Sequence, residues 1–126
     1  MSVKKTSAKV DPELSIEKEK WHDWHIIKLD GKFVVQSFAP VRNDFDSIES
    51  EKTPKIALDM SGITLIDSSA LTIVLNLQKR LKDKGGELAI FGPNALIKET
   101  LLIVGFNMAV PIYNTRAMFE QSVGPH

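Results

Sequence analysis

Two serines, Ser68 and Ser69, follow Asp67 in "ITLIDSSALTIVLNLQKRL", at the point where one hydrophobic run ends and another begins. Two chemistries are open to that trio. Serine and aspartate are favoured helix caps, because their oxygens accept from main-chain amides that a helix start leaves unpaired. A hydroxyl at such a junction also suits a phosphoryl group, since the amides and the positive end of the helix dipole favour an anion there. Adding nearly two negative charges beside Asp67 would change the surface a partner meets without unfolding the domain.

Other chemistry-bearing residues lead less far. His22 and His25 flank Asp23 in "HDWH", but on a strand residues three apart point to opposite faces and cannot converge on a metal. They read as ordinary residues at the start of an edge strand. The glycines of "GGELAIFGP" fit neither dinucleotide nor phosphate-loop spacing, and they end a helix rather than begin one. "IDSSAL" lacks the glycines of a G-x-S-x-G nucleophile elbow. Asp44 and Asp46 share a polar segment with Arg42 and Asn43, which reads as a solvated loop. No set of acid, base and nucleophile converges, so the expectation is a protein that is not an enzyme.

Composition narrows the classes further. The 126 residues, 43% hydrophobic, suffice for one domain with a core. Sixteen basic residues balance sixteen acidic ones. Neither a nucleic-acid footprint nor a polybasic membrane surface is therefore expected. The absence of cysteine excludes disulfides and thiol chemistry. No apolar run approaches the roughly 20 residues that span a bilayer, and the N-terminus lacks the apolar segment of a secretory signal. The expectation is a cytoplasmic single domain.

The elements that would position the serines follow from periodicity. Residues 1–20 read as a polar, flexible arm, and 21–126 as the domain. "WHDWHIIKLDGKFVVQSF" reads as two β runs joined by a hairpin at Asp30-Gly31. "APVRNDFDSIESE" reads as a loop opening with Pro40 and leading into a short helix, ended by Thr53-Pro54. "KIALDM" is a strand, and "SGITLI" a turn with a short extended piece. From Ser68 to about Lys84 the apolar residues recur as on one helical stripe, stopped by Gly85-Gly86. "ELAIFG" is a strand, "NALIKETLLIVG" a helix after Pro93, and "AVPIY" a last strand. A final helix begins at Asn114 or Thr115. Alternation of this kind predicts an α/β fold with a mixed sheet.

The stretch from Ile56 to Thr115 resembles the STAS domain, of the anti-sigma-factor antagonist type. The resemblance rests on a hydrophobic strand ending in Asp59, then "SGITLIDSSAL", a helix closed by "KGGELAIFGPN", and "LLIVGF". It covers roughly residues 24–122. It implies a mixed sheet with helices packed mainly on one side, and no catalytic residues, cofactor or metal. The implied partner is an anti-sigma factor with GHKL-type serine kinase activity, whose capture frees a sigma factor. That kinase would phosphorylate Ser68, flanked by Asp67 and Ser69, and a PP2C-type phosphatase would reverse the mark. The implied partner surface takes in Pro40, Arg42 and Asp44 together with Ala70, Leu71 and Thr72. Where the family usually has Gly-Leu-Gly this chain has Ala70-Leu71-Thr72, so added bulk at 70 and 72 is expected to hinder a partner shaped for glycines. In the family's place for a glycine-containing loop stands "APVRNDF". The alternative role is a non-switching STAS subunit of a larger assembly, such as a lipid-transport ATPase complex or a stress-signalling scaffold.

Overall fold

A computed structural model describes residues 14–124. Five strands form one sheet in the order β1-β2-β3-β4-β5, so sequence order and spatial order coincide. β1 (Leu14–Trp21) and β2 (Trp24–Phe33) are antiparallel. β3 (Lys55–Ile66), β4 (Glu87–Phe91) and β5 (Ile112–Tyr113) then add in parallel to β2. Each parallel step needs a crossover. These are supplied by α1 (Ala39–Glu49), α2 (Ser68–Asp83) and α3 (Ala95–Ile103), and α4 (Arg116–Val123) closes the described chain. No described helix is long and apolar enough to cross a membrane.

The sheet has two unequal faces because successive strand residues point to opposite sides. Ile27, Leu29, Ile56, Leu58, Met60, Leu88 and Ile90 join Val41, Phe45 and Ile48 of α1 in one large core. The same core takes Val74, Leu77 and Leu81 from α2 and Ile97 and Leu101 from α3. Their alternating neighbours Trp24, Ile26, Ala57, Ala89 and Phe91 make a smaller cluster around Phe119 of α4. Three helices therefore cover one face and one covers part of the other, the mainly one-sided arrangement that the resemblance implied.

Four local expectations are corrected. Residues 14–20, read as part of an arm, form most of β1; residues 1–13 lie outside the described residues. Leu14 and Ile16 are buried at period two. Charged Glu17 to Lys20 suit an outermost strand, where like features discourage edge-to-edge pairing. Next, the reversal between β1 and β2 falls at His22-Asp23, with His22 at φ 55°. Asp30-Gly31 lies inside β2, where Gly31 adopts φ 116° and the pairing to β3 shifts register on either side. The positive φ serves a bulge rather than a hairpin. Asp30 there leans over Gly62, where an added Cβ would lie 1.7 Å from its Oδ1. Finally, "SGITLI" continues β3 rather than turning, and Pro40 sits in the first turn of α1, so the expected loop is already helix. Proline is tolerated there because the first-turn amides have no intrahelical partner.

Candidate functional site

The site grows from the end of β3. Asp67 is extended (φ −115°, ψ 165°) and is the N-cap of α2, its Oδ1 accepting from the Ala70 amide at 2.8 Å. Its Oδ2 accepts from the Val35 amide at 3.3 Å, and its own amide donates to the Phe33 carbonyl at 3.4 Å. Val35 opens the short 3-10 turn Val35–Ser37 between β2 and α1. One carboxylate thus caps α2 and ties its start to the approach to α1.

Capping by Asp67 leaves both serines spare. Ser68 is the first residue of α2, and Ser68 and Ser69 are exposed. Thr72, one turn on, donates from Oγ1 to the Ser68 carbonyl at 3.0 Å and is also exposed. Ala70 and Leu71 are different. Both belong to the large core, at 0% and 4% exposure. The expectation that a methyl at position 70 crowds a partner is therefore corrected, since that methyl points inward. Only Thr72 changes the outer surface relative to a glycine.

Of the residues expected from α1, Pro40 and Arg42 lie in its first turn, and Asp44 lies further along it. α1 and α2 run side by side in the same direction. Near their C-terminal ends Arg80 binds Glu49 and Asp46, and Lys84 Nζ donates to the Glu49 carbonyl at 2.7 Å. At their N-terminal ends Asp67 meets Val35. Pro40 is half-buried, and Arg42 lies over the Phe38 ring at 5.5 Å. Asp44 pairs with Lys18 of β1 at 3.0 Å, which turns it toward the sheet edge. Sequence reasoning missed Val35 and Leu65, which are 46% and 50% exposed on either side of this junction. Their one signal was position: both are apolar residues within two places of the segments that meet at Asp67.

The remaining candidates take structural parts. His25 Nε2 lies 2.9 Å from Glu51 Oε1, whereas His22 sits edge-on to Trp21 at the turn. Among the described residues no group of three or more His, Asp or Glu is placed to hold a metal. Gly86 permits the close return of the chain from α2 to β4, since a Cβ there would lie 2.1 Å from the Pro54 carbonyl. What the geometry offers is a presented hydroxyl at a capped helix start, bordered by exposed apolar side chains.

A one-sided mixed α/β sheet with hydroxyls exposed at a strand-to-helix junction defines the class of fold. The STAS domain family profile matches residues 15–118, and the chain belongs to that family. It is 29% identical over 102 residues to the anti-sigma F factor antagonist of Paenibacillus polymyxa, covering 80% of this chain and 87% of that protein. Antagonists of this kind are non-enzymatic regulators. Among solved structures, TM1081 of Thermotoga maritima superposes with a TM-score of 0.77 at 23% identity, over 87% of this chain and 95% of that one. The anti-sigma factor antagonist SpoIIAA in its unphosphorylated form gives 0.69 at 15% identity, over 88% and 100%. The phosphorylated form of the same Bacillus protein gives 0.63 at 13%, over 86% and 98%. At these identities the three structural likenesses speak for the fold alone.

Proposed function

We propose that this chain is an anti-sigma factor antagonist, controlled by reversible phosphorylation of Ser68. The observation that carries the reading is the division of labour at the junction: Asp67 does the capping, so the exposed Ser68 hydroxyl at the start of α2 is spare. The partner is an anti-sigma factor that is also a GHKL-type serine kinase. Unmodified chain binds it through the exposed surface around Ser68, Ser69, Thr72 and Val35, and so frees a sigma factor. Transfer of the ATP γ-phosphoryl group to Ser68 Oγ, with loss of the hydroxyl proton and release of ADP, ends the complex. A PP2C-type phosphatase hydrolyses the mark. The cycle runs in the cytoplasm, where ATP and sigma factors meet.

Ser68 lies next to Asp67 and would sit at the centre of the contact. Desolvating a phosphate there, against a surface shaped for a hydroxyl, costs on the order of a few kcal/mol. Since about 1.4 kcal/mol is tenfold in affinity, release follows without a rearrangement of the sheet. Support comes also from the likeness to a family in which SpoIIAA has been solved with and without its phosphoryl group.

Incubation with the cognate kinase and ATP should add one phosphoryl group by intact mass, and Ser68→Ala should prevent it. A chain that stays unmodified, or carries the mark elsewhere, removes the switch. Recovery of transporter subunits rather than a kinase in a pull-down from the native cell would favour a fixed role in a larger assembly.

A further inference from the structure

Asp67 uses both carboxylate oxygens, and they serve different parts of the chain. Oδ1 holds the third residue of α2 at 2.8 Å, and Oδ2 holds Val35, 32 residues earlier, at 3.3 Å. Val35 is half-exposed at 46%, whereas Val34 and Phe33 before it are at 9% and 0%. The rest of that turn is anchored independently. Ser37 is fully buried, donates to the Lys32 carbonyl at 2.8 Å, and accepts from the Val34 amide at 3.3 Å. The Asp67 side chain is thus the partner of the Val35 amide, beside the main-chain bond from the Asp67 amide to the Phe33 carbonyl, and it holds exposed Val35 at the junction where Ser68 begins α2.

We propose that Asp67 is a positioning residue that holds Val35 next to Ser68, and that negative charge added at Ser68 loosens that hold. The second half rests on the reading of Ser68 as the modified residue. A phosphate at the first position of α2 brings a charge of about −1.5 to −2 alongside the Asp67 carboxylate. The two anions then repel each other and compete for the same first-turn amides. The bond to Val35 is the longer of the two and yields first. Because Ser37 keeps its own anchors, the change stays local to Val35 and leaves α1 in place. A partner resting on both Val35 and Ser68 meets a new charge and loses an ordered apolar contact in one event.

Asp67→Asn in the full, unmodified chain separates the two jobs. An amide side chain has one acceptor oxygen where a carboxylate has two, and asparagine caps helices as well as aspartate does. Hydrogen exchange should show the Val35 amide opening about tenfold more often, with the Ala70 amide changed by less than about twofold. Unaltered Val35 exchange in this variant overturns the positioning role. A second sample carries phosphoserine at position 68, incorporated during synthesis of the chain. It should show the same rise at Val35, and full protection there with the phosphate present overturns the coupling. Neither sample needs the kinase. A chain that its kinase never modifies would sink the switch while the Asp67→Asn result stood.

Discussion

The Ala70 methyl is wholly inside the core that α2 shares with the sheet. Ala70→Gly should therefore act on stability rather than on recognition. Glycine within a helix costs up to about 1 kcal/mol, and the lost methyl adds about 0.8 kcal/mol, so a loss of roughly 1–2 kcal/mol is expected. Urea denaturation should show a lower midpoint with an unchanged slope. Partner affinity, measured where the variant is fully folded, should hardly move. A large affinity change would place position 70 in the contact after all. At position 72 the opposite applies, since Thr72 is exposed and bonded to the Ser68 carbonyl. The Asp67, Ser68 and Ser69 trio was legible from residue types and its place between two periodicities. Which residue caps and which stays spare was not, because aspartate and serine have almost equal cap preference and only geometry separates them.

At the scale of elements, charges tie helices to strands and to one another. Arg116 at the start of α4 binds Glu19 of β1 at 2.7 Å, across 97 residues of sequence, and Glu120 one turn along. The hydrogen bond from Arg116 holds the Glu19 carboxyl below its ordinary value of 4.5, and Arg80 does the same for Glu49 of α1. A carboxyl whose folded value is depressed stabilises the fold above its unfolded value. That contribution fades as the pH falls through the lower folded value. Stability from these pairs is therefore intact at neutral pH and lost on acidification below about pH 4.5. The Arg116–Glu19 pair is partly exposed, so Arg116→Gln should cost about 1 kcal/mol or less at pH 7. Thermal midpoints of variant and wild type should converge as the pH falls through the lowered Glu19 value. A difference that persisted unchanged into acid would assign the effect to packing of the long side chain instead.

For the molecule as a whole, the second face of the sheet depends on one side chain. Phe119 is fully buried and meets Trp21, Trp24, Phe91 and Tyr113 at ring-centroid distances of 5.0 to 5.8 Å. Phe119→Ala should cost about 3–5 kcal/mol by removing the centre of that cluster. Because both tryptophans of the chain lie against this ring, their emission should shift to longer wavelength before the main core unfolds. A coincident single transition with unchanged emission would show that α4 is dispensable to that face.

Periodicity in the sequence was enough to determine α2, because its apolar stripe, its N-terminal aspartate and its closing glycines all agree. The order of strands and helices, and hence an α/β sheet, followed in the same way. β1 was hidden because "EKEK" is charged at every position, and only Leu14 and Ile16 carry the alternation. That segment is a strand because β2 offers it an edge, a fact of the assembled sheet rather than of the segment. Asp30-Gly31 has the local chemistry of a hairpin, and the parallel pairing of β2 with β3 turned it into a bulge. The tie from Asp67 to Val35 belongs to the tertiary structure for the same reason. A hydrogen bond across 32 residues has no local signature, and it exists only once β2 and β3 lie side by side and bring their ends together.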